Sequence, residues 1–570
     1  MTVRLPTQPP APARAPVRAV ARLRRLARRS AAAFATLVFA CGAPGEDALA
    51  LAAPIRAEAA AVVAIQQAAE LRTQPAGRAA LRMVQDAGWL DRTAGAWAEL
   101  ARTLELDPDA AFDALFGRRA VLILEPEAAP APRGRPSGPA WVLISELDAD
   151  VAARLRRGLR PAPRGVLAGR PLFAVEQGRY ELAIARLDRG RSLLLLAPAG
   201  RGSILEAALH AHAPEGRREA NAAEPVAQSP ARAEGVKPGL TSADLVAQLR
   251  ELGRGEVHAA FRLGDAAVAG IGVVRGDEFQ AVVRSSPGLL WAPRDCCIGY
   301  TLWPADIVHA IPDNAVLAAF GVRDRVNPAL NVPALLPLLP GRAGDELPAF
   351  LERLRGRVAL LLTEHPGEPG ETDTPCPPAP IALDLLAEID QLEPGAVAGD
   401  RAMAAFAALA RGLALLNPDN PTPVAQPTDF EGRFPAAVRA APLPSQTQRF
   451  GEHPTLRWVY RASQNPGPGG QDHRTGWWAA RLGHADGGNP AMTDLGPQAA
   501  QSGPGVIVSF GRARPDRLAA TLEDIGLTDL GGIVPAMTWI ERLDWIAHPA
   551  DNARIASKIR IHFHTNRLTD

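Results

Sequence analysis

Apolar side chains recur along this chain with two periods, near two and near 3.6, and the alternation between them predicts its elements. Trp141-Val-Leu-Ile-Ser reads as a buried strand, and Pro171-Leu-Phe-Ala-Val, Glu181-Leu-Ala-Ile-Ala and Leu193-Leu-Leu-Leu-Ala as further strands. Asp148 stands where its carboxylate can cap a helix over 151–159. The run at Leu193 leads through Pro198 and Gly200 into a helix over 204–212. Further on, Val506-Ile-Val-Ser-Phe reads as a strand, followed by Pro515 and a helix over 517–525. Short loops between strands favour antiparallel pairing with helices on one face. The fold class expected is α+β.

Segments of the chain repeat. Leu115-Phe-Gly-Arg-Arg-Ala-Val-Leu-Ile reappears as Leu354-Arg-Gly-Arg-Val-Ala-Leu-Leu-Leu, and the stretch from Pro54 to Ile65 has a counterpart from Ile311 to Val322. Late in each part comes a hairpin rhythm: Glu256 to Leu263, Gly264-Asp265, Ala266 to Val274; then Leu543 to His548, Pro-Ala-Asp-Asn, Ala553 to His564. Three pairings in the same order predict two similar halves, each a large, mainly antiparallel sheet. The halves are expected at 51–300 and 301–570, with equivalent cores over about 54–290 and 305–566, after a leader within 1–50. Pro/Gly-rich insertions at 125–140, 213–240, 364–380, 417–447 and 484–505 read as flexible surface loops.

The first residues carry a different signal. No acidic residue precedes Glu46, while eight arginines lie between Arg4 and Arg29, and the apolar run Ala31-Ala-Ala-Phe-Ala-Thr-Leu-Val-Phe-Ala follows. This is the pattern of a secretory leader, too short in its apolar part for a transmembrane helix of about 20 residues. Two exits are open. Val38-Phe39-Ala40-Cys41 resembles a bacterial lipobox, although Phe39 stands where a small residue is usual; Ala48-Leu49-Ala50 is an A-x-A cleavage site. Either removes the eight arginines, so the 62 basic residues fall to 54 against 61 acidic for a chain starting at Cys41, a net charge of about −7. Neither this balance nor the neutral one of the whole chain suits nucleic acid, which needs clustered cations.

A strand after Leu-x-Gly-Arg, Trp141-Val-Leu-Ile leading through Asp148 to a helix, a strand opened by Gly169-Arg-Pro-Leu-Phe, a hairpin and a strand-Pro-helix step together resemble a family of exported bacterial proteins. Its members carry a domain of unknown function, often in tandem α+β units after a signal or lipoprotein leader. The resemblance covers 54–290 and, more loosely, 305–566. It implies a non-catalytic protein outside the cytoplasm and brings no site residues with it.

Candidate chemistry is sparse. There are only two lysines, Lys237 and Lys558, and no Gly-Lys for a phosphate-binding loop; Glu234 and Ile555 stand where Ser-x-x-Lys would need serine. The sequence also lacks His-Glu-x-x-His, Cys-x-x-Cys and Gly-x-Ser-x-Gly. Gly270-Ile-Gly272-Val-Val-Arg-Gly276 sits inside a hairpin pattern and not between a strand and a helix, so it does not read as a dinucleotide site. His562 and His564 share the polar face of a terminal strand and are the weak candidates for metal, whereas His210 and His212 diverge at a helix end. Cys296 or Cys297 with Cys376 is a candidate disulfide in an oxidising compartment, and Cys41 the candidate lipidation site. Asp107-Pro108-Asp109 and Thr241-Ser-Ala-Asp244 read as helix starts. Trp458, Trp477 and Trp478 belong to the core or to a ligand surface. No cofactor is implied. The expectation is an exported, non-catalytic envelope protein with a binding or structural role. The alternatives are a periplasmic carrier of lipid or another hydrophobic ligand, and a metal-assisted hydrolase using His562 and His564.

Overall fold

The computed structural model describes residues 48–88, 94–125, 141–187, 190–200, 202–212, 241–263, 266–285, 303–304, 315–323, 354–364, 381–390, 449–453, 456–462, 475–482, 506–524, 533–550 and 554–569. The insertions expected at 213–240, 417–447 and 484–505 lie outside these residues, as do all but the first residue of 125–140 and of 364–380.

The fold is α+β. Its strands are β1 (Ala61–Ile65), β2 (Ala120–Leu124), β3 (Trp141–Asp148), β4 (Arg160–Leu167), β5 (Arg170–Val175), β6 (Tyr180–Arg186), β7 (Arg191–Pro198), β8 (Val257–Leu263), β9 (Ala266–Arg275) and β10 (Glu278–Ser285). They continue as β11 (Trp303–Pro304), β12 (Ala315–Arg323), β13 (Leu354–Glu364), β14 (Ile381–Asp390), β15 (Arg449–His453), β16 (Leu456–Ala462), β17 (Thr475–Leu482), β18 (Val506–Ile507), β19 (Ser509–Ala513), β20 (Ile540–Ala550) and β21 (Arg554–Phe563). All but β11 and β18, which pair with each other, join into one sheet of 19 strands. Outward from β1 the neighbours are β2, β3, β7, β6 and β5 on one side, and β8, β9 and β10 on the other. Outward from β12 they are β13, β14, β17, β16 and β15 on one side, and β19, β20 and β21 on the other. The two sets meet where β10 pairs with β21, antiparallel like every other pairing, Glu278 opposite His562 and Ser285 opposite Ile555.

Helices on a single face are not what the first set shows. Val62, Ala64, Val121, Ile123, Leu193 and Leu195 pack on one side against the turn Ala48–Leu51 and the helices Gly202–Ala211 and Ser242–Leu252. On the other side Leu147, Leu182, Ile184, Leu194 and Leu196 meet residues of the helices Ala94–Leu104, Pro108–Phe116 and Ala149–Gly158. This explains why β6 and β7 are buried along almost their whole length, without alternation. A strand covered on both faces reads as a near-continuous apolar run and not as an alternating one.

A third core crosses the β10–β21 pairing. Helix Pro75–Asp86, with Met83 and Val84, packs against Val274, Phe279, Trp539, Ile540, Ile561 and Phe563. Trp539 Nε1 donates to Asp86 Oδ2 at 2.7 Å, tying an early helix to the turn before β20. The glycines at 270 and 272 lie in β9 opposite β10, as expected of a hairpin. A Cβ on Gly272 would lie 2.3 Å from Phe279 Cζ. Gly272→Val should therefore lower the unfolding free energy by about 1–3 kcal/mol through overpacking, read from a shift of the urea midpoint at unchanged m-value.

Strand β4 escapes the sequence pattern because Pro161 and Pro163 interrupt it and its register shifts between Pro161 and Val166. Among the described strands β4 has one neighbour, β5, and so forms an edge. Two residues without N–H suit that position and discourage a further strand from pairing there.

The hairpin rhythm repeats one strand out of step. β8 and β9 follow each other directly, but β19 and β20 are separated by the helices Pro515–Asp524 and Ile533–Met537. The later hairpin β20–β21 therefore stands where β9–β10 does in the ladder, and β19 where β8 does.

Candidate functional site

Among the described residues, polar side chains distant in sequence are drawn together at two places in particular. The first is the end of β3. Ser145, Glu146 and Asp148 follow an apolar strand start, and the register puts Glu146 beside the chain leaving Arg119 and opposite Leu193 of β7. Glu146 is 2% exposed, yet both oxygens are taken: Arg119 Nη2 lies 2.5 Å from Oε2 and Arg191 Nη1 2.7 Å from Oε1. Arg118 adds a 3.7 Å contact and pairs with Asp148 at 2.6 Å. Ser145 Oγ donates to the carbonyl of Leu115 and so fixes the end of helix Pro108–Phe116 on the sheet. Burying a carboxylate is costly unless it is paired and hydrogen-bonded in this way. Asp148 precedes its helix as expected but makes no side-chain cap; its carboxylate is held by Arg118 instead.

The second place is the polar face across β19, β20, β21 and β10. Alternation sends Ile561 and Phe563 into the core and His562 and His564 to the opposite face, as the period-two reading expects. Across the strands runs an alternating series. Arg512 Nε lies 2.8 Å from Asp544 Oδ1, Arg542 Nε 3.0 Å from Asp544 Oδ2, and Arg542 Nη2 2.8 Å from His562 Nε2. Glu278 Oε1 then lies 4.0 Å from His562 Nε2 and 3.7 Å from Arg560 Nε. A guanidinium only donates, so its contact assigns His562 Nε2 as acceptor and the ring proton to Nδ1. A metal ion at that nitrogen would have to displace a cation. His564 Nε2 lies 3.0 Å from Asp516 Oδ2, at the start of helix Pro515–Asp524. Asp516 Oδ1 is buried with no hydrogen-bond partner among the described residues.

Among the described residues no group of three or more His, Cys, Asp or Glu is arranged to hold a metal ion, and no helix is long and apolar enough to cross a membrane. His210 and His212 do diverge: His210 lies 3.8 Å from Glu206, and His212 Nε2 lies 2.9 Å from the carbonyl of Leu51. Cys41, Cys296, Cys297 and Cys376 lie outside the described residues, and so do the side chains of Trp458, Trp477 and Trp478.

Both helix starts form. Asp107 Oδ1 accepts from the amides of Asp109 at 3.0 Å and Ala110 at 2.9 Å. Thr241 and Asp244 make a reciprocal capping box. The backbone and side-chain hydrogen bonds from Thr241, helped by Arg56, hold the Asp244 carboxyl below its ordinary value. Thr241→Ala should cost about 1 kcal/mol at pH 7. A depressed carboxyl contributes its stability in full above the unfolded-state value and loses it as pH falls through the lower folded-state value. Urea midpoints of the two proteins should thus converge in acid, below about pH 4.

The signal that sequence reading passed over was Glu146, an acidic residue within the strand β3, with Arg118-Arg119 just before the preceding strand. Comparison of the chain with family models, with curated proteins and with solved structures finds no match.

Proposed function

We propose that this is an exported, non-catalytic component of a bacterial envelope, made of two like-built halves, with a binding or structural role. The observation that carries the non-catalytic reading is the fate of its polar groups. Both oxygens of Glu146, and the Nε2 atoms of His562 and His564, are engaged by neighbouring side chains of the protein itself. Among the described residues no hydroxyl or thiol hydrogen-bonds either imidazole, as a nucleophile would.

Duplication is supported by the common strand order around β1 and β12, and by a further likeness between strands in equivalent places. β3 ends Ser145-Glu146-Leu147-Asp148 and β14 ends Ala387-Glu388-Ile389-Asp390, and each is paired with a strand that has a Gly-Arg near its start, Gly117-Arg118 just before β2 and Gly356-Arg357 within β13. Export is supported by the leader. The hydrophobic-carrier alternative needs an open apolar face, and both faces of β2, β3, β6 and β7 are filled by core side chains.

Fractionation of a bacterial host expressing the full chain tests export: the protein is expected outside the cytoplasm with its leader removed, and an intact chain in the cytosol would overturn the reading. Elemental analysis tests the rest. One equivalent of metal, lost in the His562→Ala, His564→Ala double variant, would favour the metal-assisted hydrolase.

A further inference from the structure

The sheet face that carries the alternating series of charges stays open where the two sets of strands meet. Phe279, Ala281 and Ile561 point into the core, so Val282 and Arg284 of β10 and Lys558 and Arg560 of β21 point the other way. Val282 is 38% exposed, and Lys558, directly opposite it, is exposed as well. Ile271, beside Val282, and Ile546, beside Lys558, are half-buried. Cations exceed anions on this strip. The Asp544 carboxylate is already shared by Arg512 and Arg542, and that of Glu278 lies against Arg560 and His562. Among the described residues neither Arg284 nor Lys558 enters an ion pair. Lys558 and Arg560 stand two residues apart on one strand, about 7 Å, and Arg284 is diagonal to Lys558 across the pairing. Like charges so placed repel, and no further carboxylate among the described residues offsets them.

The surroundings decide what kind of partner can reach these groups. β10 and β21 are each paired on both sides, so an added strand finds no free ladder hydrogen bonds there. Leu245, Val246 and Leu249 of helix Ser242–Leu252 pack with Ala260 and Ala269, which puts that helix on the same face, over β8 and β9. The neighbouring strip lies lower by a helix thickness, about 10 Å. A flat bilayer resting on the helix would stop short of the Lys558 ammonium. The three strands β10, β21 and β20 span about 14 Å, room for one more helix alongside at a spacing of about 8–10 Å.

We propose that this strip docks an acidic amphipathic helix of a partner protein. The helix lays its apolar side on Val282, Ile271 and Ile546, and its Asp or Glu flank meets Arg284, Lys558 and Arg560. Such a partner carries apolar residues at helical spacing with carboxylates beside them. The proposal rests on the binding role argued above and gives that role a place; it does not depend on export. The unpaired cations supply the attraction, so the affinity falls as salt is raised.

The test uses the purified full chain and synthetic amphipathic peptides of about 20 residues, long enough to hold a helix, with one apolar face flanked by Glu, by Lys or by Gln. Lys237 and Lys558 are the two lysines of the sequence, so a carbodiimide that joins a bound Glu side chain to a lysine amine leaves a mark that peptide mapping can place. The expected result is coupling of the Glu peptide at Lys558 and not at Lys237. Its dissociation constant should rise about tenfold in Lys558→Glu and in Arg284→Ser, and Lys558→Glu should prefer the Lys peptide. The urea midpoint of Lys558→Glu should not fall, because the substitution relieves like-charge repulsion; weaker binding then cannot be laid to unfolding. Equal binding of the three peptides, no binding, or coupling at both lysines would overturn the site while leaving the exported, non-catalytic reading standing. Binding of phosphatidylglycerol vesicles that Lys558→Glu abolishes, without binding of the Glu peptide, would overturn the helix in favour of a membrane surface.

Discussion

Glu146→Ala is expected to lower the unfolding free energy by about 3–5 kcal/mol, measured by urea denaturation at neutral pH. The residue is 2% exposed and stands opposite the core residue Leu193, while Arg119 and Arg191 reach it with side chains only 13% and 26% exposed. Without the anion, Arg119 and Arg191 lose the carboxylate they share, in a site that is largely closed to water. Glu146→Gln keeps the shape and should cost less, because the amide oxygen still accepts one bond. The triple variant Glu146→Leu, Arg119→Met, Arg191→Met should recover much of the loss, since removing all the charges removes the desolvation penalty as well. A loss below about 1 kcal/mol for Glu146→Ala, the range of exposed ion pairs, would mean that water reaches the cluster after all.

Phe279→Ala should cost a similar amount, about 3–5 kcal/mol, and its effect should be felt throughout the molecule. The ring is 1% exposed, lies over Gly272 and belongs to the core that joins helix Pro75–Asp86 to β21. Because that core draws on residues from both sides of the β10–β21 pairing, calorimetry of the wild type should show one transition, moved as a whole by the substitution. Two transitions of which only one moved would show that the sides unfold independently. Trp539→Phe, which deletes the 2.7 Å bond to Asp86, should add about 1 kcal/mol.

What could be read in advance was what neighbours decide. The strands Trp141–Asp148, Arg170–Val175, Tyr180–Arg186 and Arg191–Pro198 were legible because apolar runs end at turn residues, and the Thr241–Asp244 box because its partners are three residues apart. Leu193-Leu-Leu-Leu in fact held the evidence against helices on one face only, since a half-covered strand alternates. Asp148 misled because a local cap lost to a longer-range arginine. The β10–β21 pairing was illegible: nothing in Glu278-Phe-Gln-Ala-Val-Val names its partner at the far end of the chain. The same holds for Glu146, whose burial depends on Arg119 and Arg191, and for Asp516 and His564, which meet only when β21 is laid down.

That last strand sets a schedule for assembly. Until residues 554–563 arrive, β10 has β9 on one side and a bare row of amides and carbonyls on the other. Phe279 meanwhile lacks Ile561 and Phe563, its partners from β21. Closing a contact over so long a loop is slow, and an open strand in a crowded cell invites pairing with the wrong chain. A nascent molecule therefore spends nearly half of its synthesis with an adhesive margin at its centre, and truncation just short of β21 should yield aggregates in place of a smaller folded protein.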